Sequence, residues 1–396
     1  LRRLYLEACV ARPVSREERL RNPKAQAAIK KEWDRLRSIG CWDETKVYEW
    51  ATLAKHARET GMSYHVGRIF DIIVEKGSEL PEGDPARKFK GRVVFQGNNV
   101  WDQNYDVALF QDLSSSPATM EAGKFADFYG MLPGNDAQQS DAEQAYTQTT
   151  LKGVPTFVRL PKEQWPESWQ GMKDPVCPLV LALYGHPDSG GFWEQHCEDH
   201  VVSLGFRQIP SWPSCYWHDA WRMFLVIYVD DFKLAGPTRM LPQVWSALKD
   251  GIRMDEPSSL GKYLGCDHIV STKWHPELRC PVRVLEYDMS SFLSSCVERY
   301  LELAQVPKSS LKPVVTPFSV ETREPSRARD PCDCSQCKES DGKGPVVPED
   351  PNIDLDQEAG RREHIAARVL MKMLYAPRIA RYDLFKAVNG LASCVT

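Results

Sequence analysis

The sequence predicts an α+β fold. Three observations carry the prediction: an amphipathic helix with an aromatic face near the N-terminus, an apolar β-hairpin in mid-chain, and a repeating order of strand, hairpin and helix around it. At 396 residues the chain has room for two or three packed domains, and its 42% hydrophobic and 26% charged residues exclude disorder across the whole. The formal charge of −4 makes the global field weakly repulsive to phosphate. Affinity for nucleic acid must then come from local basic clusters, and a simple nucleic-acid coat protein is excluded. Twelve cysteines, mostly single and without a secretory leader, read as reduced thiols in the cytoplasm or nucleus of a protein that is not secreted. No apolar run approaches the roughly 18–20 residues that span a bilayer, so no membrane partner is expected. Leu1 in place of Met, and a helical pattern running close to Thr396, read as cuts through a longer reading frame.

The first element runs from Asn22 to Gly40. Asn22 can cap, Pro23 suits the first helical position, Gly40 suits a left-handed stop, and Ile29, Trp33, Leu36 and Ile39 share one face. From Lys88 to Phe95 the residues alternate as in a strand that points basic groups outward. A second strand pattern spans Thr156 to Leu160, and a helix is expected around Gly191 to Leu204. Met223 to Val229, then Asp230-Asp231, then Phe232 to Gly236 reads as two strands joined by a tight two-residue turn. Leu241, Val244, Trp245 and Leu248 form another helical face, and Leu260 to Gly265 begins another strand. Between about 322 and 357 the composition turns to Pro, Asp, Glu, Ser and Gly, which marks an exposed insert without a core. Helical patterns close the chain at Ile365, Val369, Met373 and Leu374 and at Leu384, Val388 and Leu391.

Adjacent aspartates at the tip of so apolar a hairpin repel each other and call for a positive partner, for which a divalent cation is suited. Aspartate is also ordinary turn chemistry. A third carboxylate tips the balance: Asp141, in Gln139-Ser140-Asp141-Ala142-Glu143-Gln144-Ala145-Tyr146. Magnesium takes a few carboxylates plus substrate phosphates, and a two-metal site can activate an attacking hydroxyl while stabilising a leaving pyrophosphate.

Ser140-Asp141 with Ala145-Tyr146, upstream of Tyr228-Val229-Asp230-Asp231, resembles the two metal-binding motifs of reverse transcriptases. Further segments resemble copia-type retrotransposon elements in the same order: Trp33 to Trp42, Lys90-x-Arg92-x-Val94, Leu183-Tyr184-Gly185 with Trp193, Leu260-Gly261 with Leu264-Gly265, Thr316-Pro317, and Ile379 to Val388. The resemblance covers roughly Asn22 to Ser393 apart from the insert. It implies a right-hand polymerase with fingers and an antiparallel palm sheet in 22–270, after a flank at 1–21, and a helical thumb or connection region in 271–396. It implies RNA-directed DNA synthesis with two Mg2+ ions, or Mn2+ in their place, held by Asp141, Asp230 and Asp231. Lys90 and Arg92 would neutralise the incoming triphosphate, Tyr146 would exclude the ribose 2′-hydroxyl, and Leu264 and Gly265 would position the primer terminus. The implied partners are an RNA or DNA template with its primer, deoxyribonucleotide triphosphates, and the remainder of a Pol polyprotein.

One departure stands out. After Leu-Tyr-Gly the family usually carries a glutamine that touches the nucleotide, whereas this chain has His186-Pro187-Asp188, so Asp188 is expected at the nucleotide as a repulsive contact. That keeps alive a rival reading, a decayed retroelement domain that binds nucleic acid without polymerising. A second rival, another palm-type nucleotidyl transferase such as a cyclase, leaves the basic strand unexplained. Cys332, Cys334 and Cys337 in the insert are spaced as zinc ligands, but a clean fourth ligand is missing, with only the distant Cys280 and His364 as candidates.

Overall fold

The structure, a computed structural model, describes residues 11–77, 83–85, 87–110, 116–314 and 363–393. The insert, with its three clustered cysteines, and Thr316-Pro317 lie outside the described residues. The chain is mixed α/β with several sheets and a helical C-terminal stretch. It divides into two compact units between Tyr287 and Asp288.

In the first unit, the N-terminal helix is Pro23–Ser38, and its start is built as the sequence dictates. Asn22 Oδ1 accepts the backbone N–H groups of Lys24 and Ala25 at 3.0 and 3.3 Å, and Gly40 takes φ 68° just past the end. The helix buries Ala25, Ile29, Trp33 and Leu36, each large side chain contributing about 1.5–3 kcal/mol. It lies on one face of a seven-stranded mixed sheet whose long strands are His65–Lys76 and Lys88–Phe95. Gly91 allows the approach: a Cβ there would stand 2.9 Å from the Ala28 carbonyl oxygen. Trp33 donates its indole N–H to Asp71 on the sheet at 3.0 Å. The opposite parity of these strands, Arg68, Phe70, Ile72, Lys90 and Arg92, is exposed.

A second, six-stranded sheet is antiparallel throughout, in the order Ser258–Ser259, Asn135–Asp141, Asp231–Pro237, Met223–Tyr228, Cys215–His218, Arg207–Gln208. One face packs Leu225, Ile227, Phe232 and Leu234 against Trp193 of helix Ser189–Ser203 and Trp245 of helix Leu241–Lys249. The other packs Phe224, Val226 and Ala235 against helix Met120–Met131.

Residues expected at the start of a helical region from 271 instead form the third sheet. Strands Cys266–His275 and Cys280–Asp288 follow the short strand Lys262–Tyr263. Ile269-Val270, Thr272, Val282 and Val284 are β-branched, and their stiff side chains suit a pleated ribbon better than a helix. The second unit contains helices Ser290–Ala304, Glu363–Met373, Tyr375–Ile379 and Phe385–Ala392, with Val369, Leu370, Ile379 and Val388 buried.

Candidate active site

Three carboxylates meet at one end of the six-stranded sheet. Strand Asn135–Asp141 pairs antiparallel with Asp231–Pro237 in a register that sets Asp141 directly opposite Asp231. Side chains so paired share one face with Cβ atoms about 4.5–5.5 Å apart. The hairpin differs from expectation by one residue. Tyr228 pairs with Asp231, so the two-residue turn is Val229-Asp230 and Asp231 already belongs to the strand, which commits its carboxyl to the face that carries Asp141. Val229 holds φ 59°, a costly conformation for a β-branched residue. Two bonds hold the turn there: the Trp193 indole N–H donates to the Val229 carbonyl at 2.6 Å, and the Ala142 N–H donates to the Asp230 carbonyl at 2.7 Å.

Burial, then the charges of Asp230 and Asp141, pushes the Asp231 carboxyl up to about 7. Partial burial raises Asp141 as well, with Asp230 and Asp255 adding to it and the hydrogen bond to Asp231 working the other way. Among the described residues no three His, Cys, Asp or Glu side chains already stand as a metal cage. Magnesium does not require one, because it keeps water and substrate phosphates among its ligands. An open set of mutually repelling carboxylates fits such an ion.

A basic and aromatic wall accompanies the carboxylates. The Arg92 guanidinium lies 5.6 Å from the Tyr184 ring centre, and Tyr184 packs against Tyr146 with ring centres 4.5 Å apart and planes tilted by 39°. Burial and then the charge of Asp230 raise both tyrosines, Tyr184 to about 12. Burial, then Lys76 and Arg92, lowers Lys90, while Asp230 pulls it back. Arg35 reaches the same region by donating to Gln144. Lys90 and Tyr146 thus lie within the field of Asp230, and Arg92 adjoins them through Tyr184. Tyr184, read from the sequence only within Leu183-Tyr184-Gly185, joins them together with Lys76 and Asp255.

The link between the two sheets is a close backbone crossing. The Phe95 N–H donates to the Tyr184 carbonyl at 2.7 Å, and Gly185 sits at φ 92° where a Cβ would stand 2.1 Å from the Phe95 carbonyl oxygen. Gly185→Ala is expected to destabilise the protein by about 3 kcal/mol or more, since the clash is with backbone. A chemical denaturation midpoint equal to the parent's would refute it.

Asp188 requires a correction. It is 6% exposed, at the start of helix Ser189–Ser203, and its N–H donates to His186 Nδ1 at 3.2 Å. Ser189 Oγ donates to the Leu183 carbonyl at 2.8 Å and folds the segment inward, where His186 packs on Phe95 and Phe110. A side chain so enclosed cannot meet a nucleotide. Leu264 and Gly265, which composition places in the start of a strand and the resemblance in a turn, are the two residues of a hairpin turn at φ 47° and 77° between Tyr263 and Cys266. Gln139 ties this turn to the Asp141 strand, donating to the Lys262 carbonyl at 2.9 Å and accepting from the Gly261 N–H at 3.3 Å.

Behind the carboxylates lies a polar cluster that no sequence pattern announced. Lys233, 0% exposed and two residues after Asp231, donates to Asp127 Oδ1 at 2.7 Å. Asp127 Oδ2 is met by His268 Nε2 at 3.2 Å and accepts from the Tyr287 hydroxyl at 3.0 Å. The Lys233 ammonium stands 3.9 Å from the Tyr263 ring centre. Burial opposes ionisation of Asp127, but the His268 hydrogen bond and the Lys233 charge outweigh it and hold the carboxyl below its ordinary value. The cluster fastens the third sheet to the carboxylate-bearing strand.

The raised Asp231 gives a pH signature. Its folded pKa of about 7 exceeds the unfolded value near 3.9, so the folded state binds the proton more tightly. The contribution of Asp231 to stability is full below pH ~4 and is lost as pH rises through about 7. Asp231→Asn is expected to match the parent near pH 4 in chelator and to exceed it by about 1–2 kcal/mol at pH 8, after a discount for solvent screening. Parallel stability curves for the two proteins would refute the assignment.

No family model matches the chain, and no curated protein matches it.

Proposed function

We propose that the first unit is a two-metal nucleotidyl transferase of the right-hand polymerase class, its six-stranded sheet a palm and its seven-stranded sheet the fingers. Within that class the reading is an RNA-directed DNA polymerase of a copia-type retrotransposon, acting in the cytoplasm or nucleus as part of a Pol polyprotein. The observation that carries it is the register pairing Asp141 with Asp231, beside Asp230 and opposite a basic strand.

Asp141, Asp230 and Asp231 would hold two Mg2+ ions, or Mn2+ in their place, which would supply charge stabilisation for the attacking primer 3′-hydroxyl and the leaving pyrophosphate. Arg92 offers a planar fork and Lys90 a point charge to the triphosphate. Tyr146, braced by Tyr184, closes the space beside the sugar. The Leu264-Gly265 turn, hung from the Asp141 strand through Gln139, supports the primer terminus. The decayed-element alternative leaned on repulsion by Asp188, and burial of that side chain removes the argument.

The test is primer extension on an RNA template with deoxyribonucleotides and Mg2+. Extension supports the reading, and its absence from a folded protein across metals and salts favours binding without chemistry. In the same assay Tyr146→Ala is expected to raise ribonucleotide use about tenfold or more relative to deoxyribonucleotides, and unchanged discrimination would take the gate away from Tyr146.

A further inference from the structure

The exposed parity of the long strands does not end at Arg92. Register pairs Arg92 with Ile72, Val94 with Phe70, and Lys90 with Val74, so these side chains share one face. Along that face Ile72 is 41% and Phe70 40% exposed, and Arg68 follows. From Ile72 to Arg68 is about 13 Å at ~3.3 Å per residue. Beyond Phe70 the face opens into a groove of about 550 Å³, whose lining includes Arg68, Phe70, Arg159, Lys162, Trp165 and Lys173.

The charge of the groove is one-sided. The one carboxylate in its lining, among the described residues, is Asp174, and Arg159 neutralises it through two bonds of 2.6 and 2.7 Å. Glu49, close by, accepts the backbone N–H groups of Lys173 and Asp174 at 2.7 and 2.8 Å. Among the described residues, Arg68, Lys162 and Lys173 form no ion pair. Three cations outside any ion pair, of which Lys162 lies 5.9 Å from the Trp165 ring centre, stand beside the exposed Phe70 ring in a chain whose overall charge is negative, and match a phosphate backbone carrying unpaired bases.

We propose that this groove binds single-stranded RNA or DNA, with phosphates on Arg68, Lys162 and Lys173 and a base stacked on Phe70. The exposed face then joins the groove to the Lys90 and Arg92 wall as a single track. A duplex keeps its bases stacked inside and cannot offer one to Phe70, and an acidic peptide gains nothing from the ring. The assignment rests on the polymerase reading only in naming the strand as unpaired template ahead of the carboxylates.

The experiment measures fluorescence anisotropy of labelled 12-nucleotide dT and U oligomers with the full chain in EDTA, where metal-dependent chemistry is blocked. The groove is thereby read independently of primer extension. The parent is expected to bind, and Arg68→Glu, Lys162→Glu, Lys173→Glu combined to bind at least tenfold more weakly, with the log–log salt slope reduced by about 2. Phe70→Ser, which alters no charge, is expected to weaken binding severalfold at unchanged slope. Equal binding by the folded triple variant, or competition by blunt duplex or polyglutamate as strong as by unlabelled oligomer, would overturn the proposal.

Discussion

Asp230→Asn combined with Asp231→Asn is expected to lower template-directed extension by about a thousandfold or more while leaving the fold intact. The two substitutions remove both anionic side chains from the hairpin and leave Asp141 alone to hold metal, and charge stabilisation at the reacting phosphate is the largest part of such catalysis. Asparagine keeps the shape of aspartate, and the carboxyls it replaces repel one another in the metal-free protein, with Asp231 already pushed up to about 7. The double variant should therefore melt no lower than the parent in chelator, and Mg2+ should raise the parent's melting temperature more than the variant's. Activity within tenfold of the parent would remove these carboxylates from the chemistry and with them the polymerase reading.

Lys233→Met is expected to be the most destabilising single change near the site. It leaves Asp127 buried, ionised and without its nearest partner, at 2.7 Å, a loss of about 3–5 kcal/mol, or on the order of 10 °C in melting temperature for a unit of this size. Asp127→Leu added to Lys233→Met should recover part of the loss, because a buried ion pair replaced by apolar groups of similar volume is often close to neutral. Recovery stays partial because His268 and Tyr287 lose their acceptor. A single variant that melts with the parent would mean that Lys233 is not ionised in the folded state.

Much of the architecture was legible because its causes are local. Asn22, Pro23 and Gly40 define the N-terminal helix by capping chemistry within a few residues, and alternation of charged and apolar side chains defines Lys88–Phe95. The hairpin was legible from its apolar strands, but its turn was displaced by one residue. Aspartate pairs are common in turns, and only the bonds from the Trp193 indole and the Ala142 N–H to the Val229 and Asp230 carbonyls select the Val229-Asp230 alternative. The strand Asn135–Asp141 has no apolar alternation to announce it. It is a strand because Asp231–Pro237 pairs along its whole length.

By itself the sequence singled out the candidates for chemistry: three aspartates, the basic strand and Tyr146, each in a local pattern of its own. Tertiary structure alone decided which of them meet. Asp127, Lys233 and His268 are separated by 106 and 35 residues and carry no spacing that links them, yet burial leaves Lys233 and Asp127 no stable state except together. Asp188 looked like a charge at the substrate, but the inward fold of His186-Pro187-Asp188 removed it. Periodicity reports the face on which a residue stands, and only the packed partner determines whether that face meets substrate, solvent or core.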